Sequence, residues 1–238
     1  MPRRRLLTTL LNFDVAVLSF VVLNLILSIP MTPKQIALSL LGWESIGNSN
    51  WYIFVILLCY AVTYLVARFI QQKNRGKWLF IIILMVVLLL SFVKESYWYN
   101  TMLVFPTGFL YAVYQDRIER FLRKYYALLM MVLTIAFVIF FYFMPKTAGL
   151  AENIASICFA FFILMLSMKV VVSNPFLKWC GVHLFPLYIY QRLPMIAMSK
   201  CLGDDFVLNH VLVFVMIALV ISCVIAYFYR YWQIRIRR

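Results

Sequence analysis

The chain has 238 residues, of which 66% are hydrophobic and only 13% are charged. About 25% of the residues of a soluble domain are charged, so this composition excludes an ordinary soluble globular protein. A formal net charge of +14 would favour nucleic-acid binding in a soluble chain. Here the basic residues stand in short clusters between long apolar runs, which is typical of a protein that crosses the lipid bilayer repeatedly, and we expect no nucleic-acid partner.

The apolar runs predict an all-α integral membrane bundle of about eight transmembrane helices. Most runs are close to the ~20 residues that cross a hydrocarbon core of ~30 Å. The third and fourth are the weakest, because only Lys94, Glu95 and Ser96 separate them and the fourth contains Pro106 and Gly108. The predicted spans are residues 10–29, 51–70, 78–93, 97–114, 125–144, 154–172, 182–199 and 206–229.

The distribution of basic residues predicts the orientation. Arginine- and lysine-rich clusters stand at both ends of the chain and after the second, fourth and sixth spans, whereas the other loops hold single lysines. The positive-inside rule therefore predicts a multi-pass protein of the cell inner membrane with both termini in the cytoplasm. We see no internal repeat and no separate soluble part, so residues 1–238 are predicted to form a single membrane domain.

Residues 173–199 contain the most polar of the predicted spans. An arginine in the middle of a membrane helix costs ~2.5–3.5 kcal/mol, which makes Arg192 a candidate functional residue. Helical spacing places Tyr188, Gln191 and Arg192 on one face, with His183 near the opposite side. The alternative is that Arg192 snorkels, or lies at a hydrated kink made by Pro194.

Other polar residues allow two interpretations each. Asp14, early in the first span, either pairs with a basic residue of the bundle or is solvated at the helix end. The arginines at positions 3–5 are ordinary cytoplasmic anchors or an anion site. His183 and His210 are predicted at opposite sides of the membrane, so we expect no metal site and interpret each as a hydrogen-bonded or interfacial residue. These residues alone name no reaction.

Three stretches are similar to the membrane-bound acyltransferase 3 family. GNSNWYIFVILLCYAVTYLVARF (residues 47–69) resembles the family's helix opening G-x-x-W-[FY]-[IL], here with Trp51 and with three residues instead of two between it and Gly47. FPTGFLYAVYQDRIER (residues 105–120) resembles its F-x-x-G-x-x-x-A helix and the basic loop after it. Residues 173–195 resemble the late helix that usually ends in P-[IL]-Y-[LI]-x-H-x-P.

The resemblance implies transfer of an acetyl or other acyl group from acyl-CoA to a hydroxyl of an envelope or capsular polysaccharide. Acyl-CoA would be a co-substrate, with no further cofactor. It implies Arg4 and Arg5 as contacts for the phosphates of acyl-CoA, and Tyr188, Gln191 and Arg192 as residues supporting the site. Trp51 and Asp14 are the candidates for the substrate pocket.

The chain also departs from the family pattern. Family members usually have about ten spans, and this chain resembles the later ones, so we expect it to lack the first two helices and the histidine regarded as catalytic. Gln191 stands where the late helix usually has a histidine, and an amide cannot shuttle a proton at neutral pH. The catalytic residue is therefore unassigned. The alternatives are an inactive remnant, a subunit whose partner chain supplies the missing helices, or a small flippase-like transporter component.

Overall fold

A computed structural model describes residues 2–143, 149–171 and 173–236, with only the backbone described at positions 2–6, 143, 204, 234 and 236. Throughout these residues the regular structure is helical, which agrees with the predicted all-α class. The helices are α1 (Pro2–Ile26), α2 (Pro33–Leu40), α3 (Trp51–Phe69), α4 (Arg75–Leu90), α5 (Val104–Val113), α6 (Gln115–Lys124), α7 (Tyr126–Val138), α8 (Leu150–Ser167), α9 (Pro175–Val182), α10 (Leu184–Tyr190), α11 (Arg192–Leu202), α12 (Asp204–Asn209) and α13 (Val211–Ile236). Short 3-10 helices cover Gln72–Asn74 and Ser96–Trp98, and α7 continues as a π-helical turn over Ile139–Phe143.

In the part of the chain that the structure describes, four helices are long and apolar enough to cross a membrane: Leu7–Ile26, Trp51–Phe69, Leu150–Ser167 and Val211–Gln233. They lie on the first, second, sixth and eighth predicted spans. A fifth candidate joins α6 to Tyr126–Tyr142, but the two helices are bent by 96°. The structure therefore agrees with a helical membrane protein, while the count of about eight crossings and the orientation of the termini stay predictions.

The remaining predicted spans are short or broken. Helix α4 has 16 residues, which gives ~24 Å against a hydrocarbon core of ~30 Å. The predicted span over residues 97–114 contains a 3-10 turn and then only the ten residues of α5. The predicted span over residues 182–199 is divided into several short helices, with breaks at His183 and Gln191.

Prolines account for where these short helices begin. Pro106, Pro186 and Pro194 are each the third residue of α5, α10 and α11, respectively. In the first turn of a helix the missing N–H of proline costs no intrahelical hydrogen bond, whereas further along the helix it would. Two of the breaks in the predicted seventh span thus follow from its prolines.

Contacts group the chain into two compact units. The first unit comprises Met1–Leu6 and Val55–Val172, where α5 packs against α4 and α8, and α8 packs against α7. Leu79, Ile83 and Val87 form the buried face of α4. On α8 the buried Asn153 donates hydrogen bonds to the carbonyls of Tyr99 (3.0 Å) and Gly149 (2.8 Å) and accepts one from the N–H of Leu103 (2.9 Å).

The second unit comprises Leu7–Phe54 and Ser173–Arg238, where α13 packs against α10 and α11. Helix α1 buries Phe13, Val17, Phe20 and Asn24 on one face. The Asn24 amide donates to the carbonyl of Ile46 at 2.7 Å and so joins α1 to the loop before α3. The prediction of a single membrane domain over the whole chain stays a prediction.

The exposed faces of the long helices are apolar. Leu11, Leu18, Val22 and Leu25 are exposed on α1, and exposed leucine, valine and isoleucine side chains line α13. Such continuous apolar surface is unfavourable in water and favourable in lipid. The exposed surface thus agrees with burial in a bilayer.

Candidate functional site

The most polar segment of the predicted spans begins with a well-formed helix start. The side chain of Asn174 accepts hydrogen bonds from the backbone N–H groups of Phe176 (2.8 Å) and Leu177 (3.4 Å), and Pro175 occupies the first helical position of α9. Both features satisfy or remove the N–H groups that a helix leaves unpaired at its start. The sequence Asn-Pro therefore fixes where α9 begins.

His183 closes α9 and is held by that helix. Its Nδ1 lies 2.9 Å from the carbonyl oxygen of Trp179, and its ring stacks on the Trp179 ring with centroids 4.2 Å apart. Because a carbonyl can only accept a hydrogen bond, Nδ1 carries the proton. His183 is also buried. His183 is therefore a hydrogen-bonded packing residue of α9, which agrees with the first of the two interpretations (hydrogen-bonded or interfacial) predicted from sequence.

Tyr188 is brought against the first turn of α3. Its ring lies 5.1 Å from the ring of Tyr52 and 6.3 Å from that of Trp51, both in edge-to-face geometry. Trp51, Tyr52 and Tyr188 form what we call the Tyr188 cluster. Trp51 and Tyr188 were predicted separately as site residues, and the structure brings them together. Tyr52 was not predicted, because its position beside Trp51 at the start of a helix gives no signal of a contact with a distant residue.

The oxygen of the Tyr188 hydroxyl is buried and lies beside the backbone of Tyr52, but it makes no well-aligned hydrogen bond with a described residue. Arg192 follows one helical turn later, and its charge lies close enough to interact with the Tyr188 hydroxyl. Gln191 and Arg192 are both exposed. A buried hydroxyl without a partner costs ~1–3 kcal/mol, so a ligand that supplies a hydrogen bond there gains affinity. The cluster therefore combines aromatic rings, an available hydroxyl and a positive charge.

Asp14 is half-buried on α1, and its Oδ1 atom is buried without a hydrogen-bond partner in the described chain. One interpretation of Asp14 from sequence was an ion pair with a basic residue of the bundle. No such pair is found among the described side chains. The rings packed on Tyr188 are those of Trp51 and Tyr52, so the structure does not bring Asp14 into the cluster through these contacts. Arg4 and Arg5 lie in the first turns of α1, but their side chains lie outside the described ones.

A cavity of about 470 Å³ lies beside Tyr190, on the other side of α10, within the same unit. Ser19, Tyr190 and Tyr229 contribute hydroxyl groups to a wall that is otherwise apolar. Tyr190 is buried and its ring lies 5.3 Å from that of Tyr229. Ligand pockets commonly have volumes of about 300–1,000 Å³. No local sequence pattern indicates this cavity, since its lining comes from α1, α10, α11 and α13.

Among the described residues, no group of three or more histidine, cysteine, aspartate or glutamate side chains could hold a metal ion. A family model described as an acyltransferase domain matches residues 4–230. The chain belongs to the acyltransferase 3 family. Neither the curated proteins nor the solved structures gave a match.

Membership of the acyltransferase 3 family confirms the resemblance that three short stretches had indicated. The match covers nearly the whole chain, so it includes the helices of both units. Together with the apolar helices, it makes the protein a membrane acyltransferase-like protein. The Tyr188 cluster is the part of this acyltransferase 3 chain where a predicted substrate-pocket residue meets a predicted supporting residue.

Proposed function

We propose that this protein transfers an acetyl or other acyl group from acyl-CoA to a hydroxyl of an envelope or capsular polysaccharide at the cell inner membrane. Family membership supports the reaction class. The observation that carries the site is the packing of Tyr188 on Trp51 and Tyr52 with Arg192 one turn away.

The reaction is an ester-forming acyl transfer. The acceptor hydroxyl oxygen attacks the thioester carbonyl carbon, a C–O bond forms, and the C–S bond to coenzyme A breaks. The proton of the hydroxyl ends on the thiol of coenzyme A. Negative charge develops on the carbonyl oxygen in between, so hydrogen-bond donors and a positive charge placed there lower the barrier.

The Tyr188 cluster matches this requirement. The Tyr188 hydroxyl can donate to an oxygen of the bound acyl group or acceptor, and the Arg192 guanidinium supplies positive charge. Gln191, beside Arg192, can donate and accept hydrogen bonds. The ring of Trp51 provides an apolar face against which a sugar ring can stack. We assign Arg4 and Arg5 to the phosphates of acyl-CoA, on the predicted cytoplasmic side.

We assign the general base to neither histidine of residues 1–238. His183 donates through Nδ1 to the Trp179 carbonyl and stacks on that ring. His210 ends α12, and its ring lies 5.0 Å from that of Phe206. Neither ring is packed on Trp51, Tyr52 or Tyr188 among the described ring contacts, so neither histidine is placed to take the proton of the acceptor hydroxyl there.

The decisive experiment measures ester-linked acyl groups on the envelope polysaccharide. A strain lacking the gene is complemented with the wild-type chain, with Arg192→Leu or with Arg68→Leu. Arg68 is an exposed arginine at the end of α3 and is the matched control. We expect the amount of acyl groups released by alkali to be at least about tenfold lower with Arg192→Leu than with the wild-type chain. With Arg68→Leu it should equal the wild-type amount.

The outcomes separate the reaction from the site. If deletion of the gene leaves polysaccharide acylation unchanged, the proposed reaction is wrong. If deletion abolishes acylation but Arg192→Leu restores it fully at equal protein level, the reaction stands and the role of Arg192 is wrong.

A further inference from the structure

Helix α6 has the composition and placement of a helix that lies in the membrane surface. Its ten residues, QDRIERFLRK, carry four basic and two acidic side chains. They form an amphipathic helix with one strongly polar face and one apolar face. It is bent by 96° relative to the following segment Tyr126–Tyr142. If that segment crosses the bilayer, α6 runs parallel to the bilayer plane, which is the arrangement of interfacial amphipathic helices.

An open cavity of about 340 Å³ lies at the junction of α5 and α6. Arg117 and Arg120 line it, and neither forms an ion pair with a described carboxylate, whereas Arg123 pairs with Glu119 at 3.5 Å. The Nε of Arg120 donates to the backbone carbonyl of Asp116 at 3.1 Å. Asp116 also lines the cavity. Two arginines against one acid leave a net positive site that suits a phosphate group.

A second cavity begins one helical turn earlier on α5, between α5 and α8. It has a volume of about 140 Å³ and is lined by Val104, Thr107, Gly108, Tyr111, Ile157, Ala160, Phe161 and Leu164. A cavity of about 150 Å³ is large enough for benzene, so this one can hold roughly the first six carbons of an acyl chain. A Cβ atom added at Gly108 would meet no atom within 4 Å, because the space beside it is open.

Tyr111 stands at the point on α5 where the lining of the apolar cavity ends and that of the basic cavity begins. Its ring lines the apolar cavity, and its hydroxyl donates to Oε1 of Glu119 on α6 at 2.9 Å. The next residue, Ala112, lines the basic cavity. The apolar space and the basic space are therefore consecutive along one helix, in the order in which a lipid presents its acyl chain and its headgroup.

We propose that the α5–α6 junction binds an anionic glycerophospholipid, with its phosphate at Arg117 and Arg120 and part of one acyl chain in the cavity beside Gly108. The charge of the junction is complementary to an anionic headgroup, and the predicted orientation places α6 at the cytoplasmic leaflet, where anionic lipids are enriched. The inference does not depend on the proposed acyl transfer.

The phosphates of coenzyme A share the chemistry of the headgroup. The apolar cavity on the same helix favours the lipid, because it offers a place for a chain that continues from the phosphate into the bilayer. Competition between the two ligands therefore belongs in the test.

The experiment counts lipids on the purified full chain by native mass spectrometry. The chain is titrated with phosphatidylglycerol, with phosphatidylcholine carrying the same acyl chains, and with coenzyme A in the absence and presence of phosphatidylglycerol. We expect one phosphatidylglycerol to bind more tightly than the others, and to be bound more tightly than phosphatidylcholine. The double variant Arg117→Gln/Arg120→Gln should bind it about 30-fold more weakly, since each basic residue contributes ~1 kcal/mol at an anionic lipid surface.

Two controls isolate the site. Lys73→Gln/Lys77→Gln removes the same charge from exposed positions of the same unit and should change the affinity less than about threefold. Gly108→Leu fills the apolar cavity without a clash at Cβ and should also weaken binding, whereas Gly181→Leu, another glycine with open space at Cβ, should not.

Three results would overturn the proposal. The first is equal affinity for the two lipids. The second is an unchanged affinity in both the double arginine variant and Gly108→Leu. The third is loss of coenzyme A binding, with phosphatidylglycerol binding intact, in the double arginine variant, which would assign the basic cavity to the donor instead.

Discussion

Folding and the proposed function make opposite demands on the hydroxyl group of Tyr188. It is buried and makes no well-aligned hydrogen bond in the described chain, so it costs stability, whereas in the proposed reaction it would donate a hydrogen bond to a substrate oxygen. Residues that are costly for the fold are frequently the functional ones. Tyr188 has this character more clearly than His183.

We predict that Tyr188→Phe lowers acylation about tenfold while leaving the melting temperature unchanged or higher. The ring contacts with Trp51 and Tyr52 are kept, and only the hydroxyl is lost. Acyl ester content and thermal unfolding in detergent are measured on the same preparations. Tyr97→Phe, at an exposed tyrosine, is the control. A fall in melting temperature that matches the loss of activity would show that the hydroxyl is structural.

Asn153 is the opposite case, a buried polar residue whose hydrogen bonds are all made within the fold. We predict that Asn153→Leu destabilises the protein by at least ~2 kcal/mol, because it leaves the Leu103 N–H and the Tyr99 and Gly149 carbonyls without the partner that they now share. Thermal unfolding in detergent measures this.

The control for Asn153 is Thr134→Val on α7. Thr134 is exposed and donates only to the Met130 carbonyl of its own helix, so its loss should cost less than ~0.5 kcal/mol. A melting temperature of Asn153→Leu equal to that of Thr134→Val would contradict the structural role assigned to Asn153.

At the scale of the element, α6 is tied to α5 through Glu119. Its carboxylate accepts hydrogen bonds from Gln115 at 2.8 Å and from Tyr111 at 2.9 Å, and pairs with Arg123. The hydrogen bonds from Gln115 and Tyr111 lower the pKa of Glu119 below its ordinary value of 4.5. The ionised form is therefore stabilised in the folded state, and it holds the α5–α6 junction together.

This lowered pKa predicts the sign of a pH effect. The contribution of Glu119 to stability is fully present above about pH 5 and is lost as the pH falls through its folded-state pKa, which lies below 4.5. The melting temperature of Glu119→Gln should therefore fall less on acidification than that of the wild type. Tyr111→Phe, which removes one hydrogen-bond donor to Glu119, should show the same effect to a smaller extent. Melting temperatures between about pH 6 and pH 3 test this. An acid profile of Glu119→Gln identical to that of the wild type would contradict it.

For whole helices, the long uninterrupted apolar runs were predictable from sequence, because every backbone group must be paired inside the helix in lipid. The starts of α10 and α11 were not predicted as helix boundaries, although Pro186 and Pro194 were recognised as interruptions. Helical periodicity extends a pattern across a proline and does not say where the hydrogen-bond ladder restarts.

At the scale of the whole molecule, the number of crossings decides the topology. Even counts, such as four or eight, leave both termini on one side, whereas five would place them on opposite sides. The basic clusters predict a cytoplasmic location for both. We therefore expect a fluorescent protein fused to the C-terminus to be fluorescent and alkaline phosphatase fused there to be inactive, with the same result at the N-terminus.

Loop fusions supply the control for the termini. Alkaline phosphatase inserted after Lys34, in a predicted extracytoplasmic loop, should be active, and the same insertion after Lys73 should be inactive. An active phosphatase at only one terminus would show an odd number of crossings and contradict the predicted orientation.

The sequence by itself determined the class of protein. Composition required a membrane environment, since such apolar helices cannot be solvated by water, and three short stretches indicated the family that the match over residues 4–230 confirms. It also selected Trp51, Tyr188 and Arg192, because polar and aromatic residues in an apolar segment are costly unless something uses them.

Only the tertiary structure decided which of these residues meet. Tyr188 contacts a turn more than a hundred positions earlier in the chain, which no local periodicity encodes. The partner of His183 is its own helix, the hydroxyl of Tyr188 makes no well-aligned hydrogen bond in the described chain, and the cavities beside Tyr190 and Gly108 are lined by separate helices. Spacing along one helix fixes which side chains share a face, whereas helix packing fixes what that face touches.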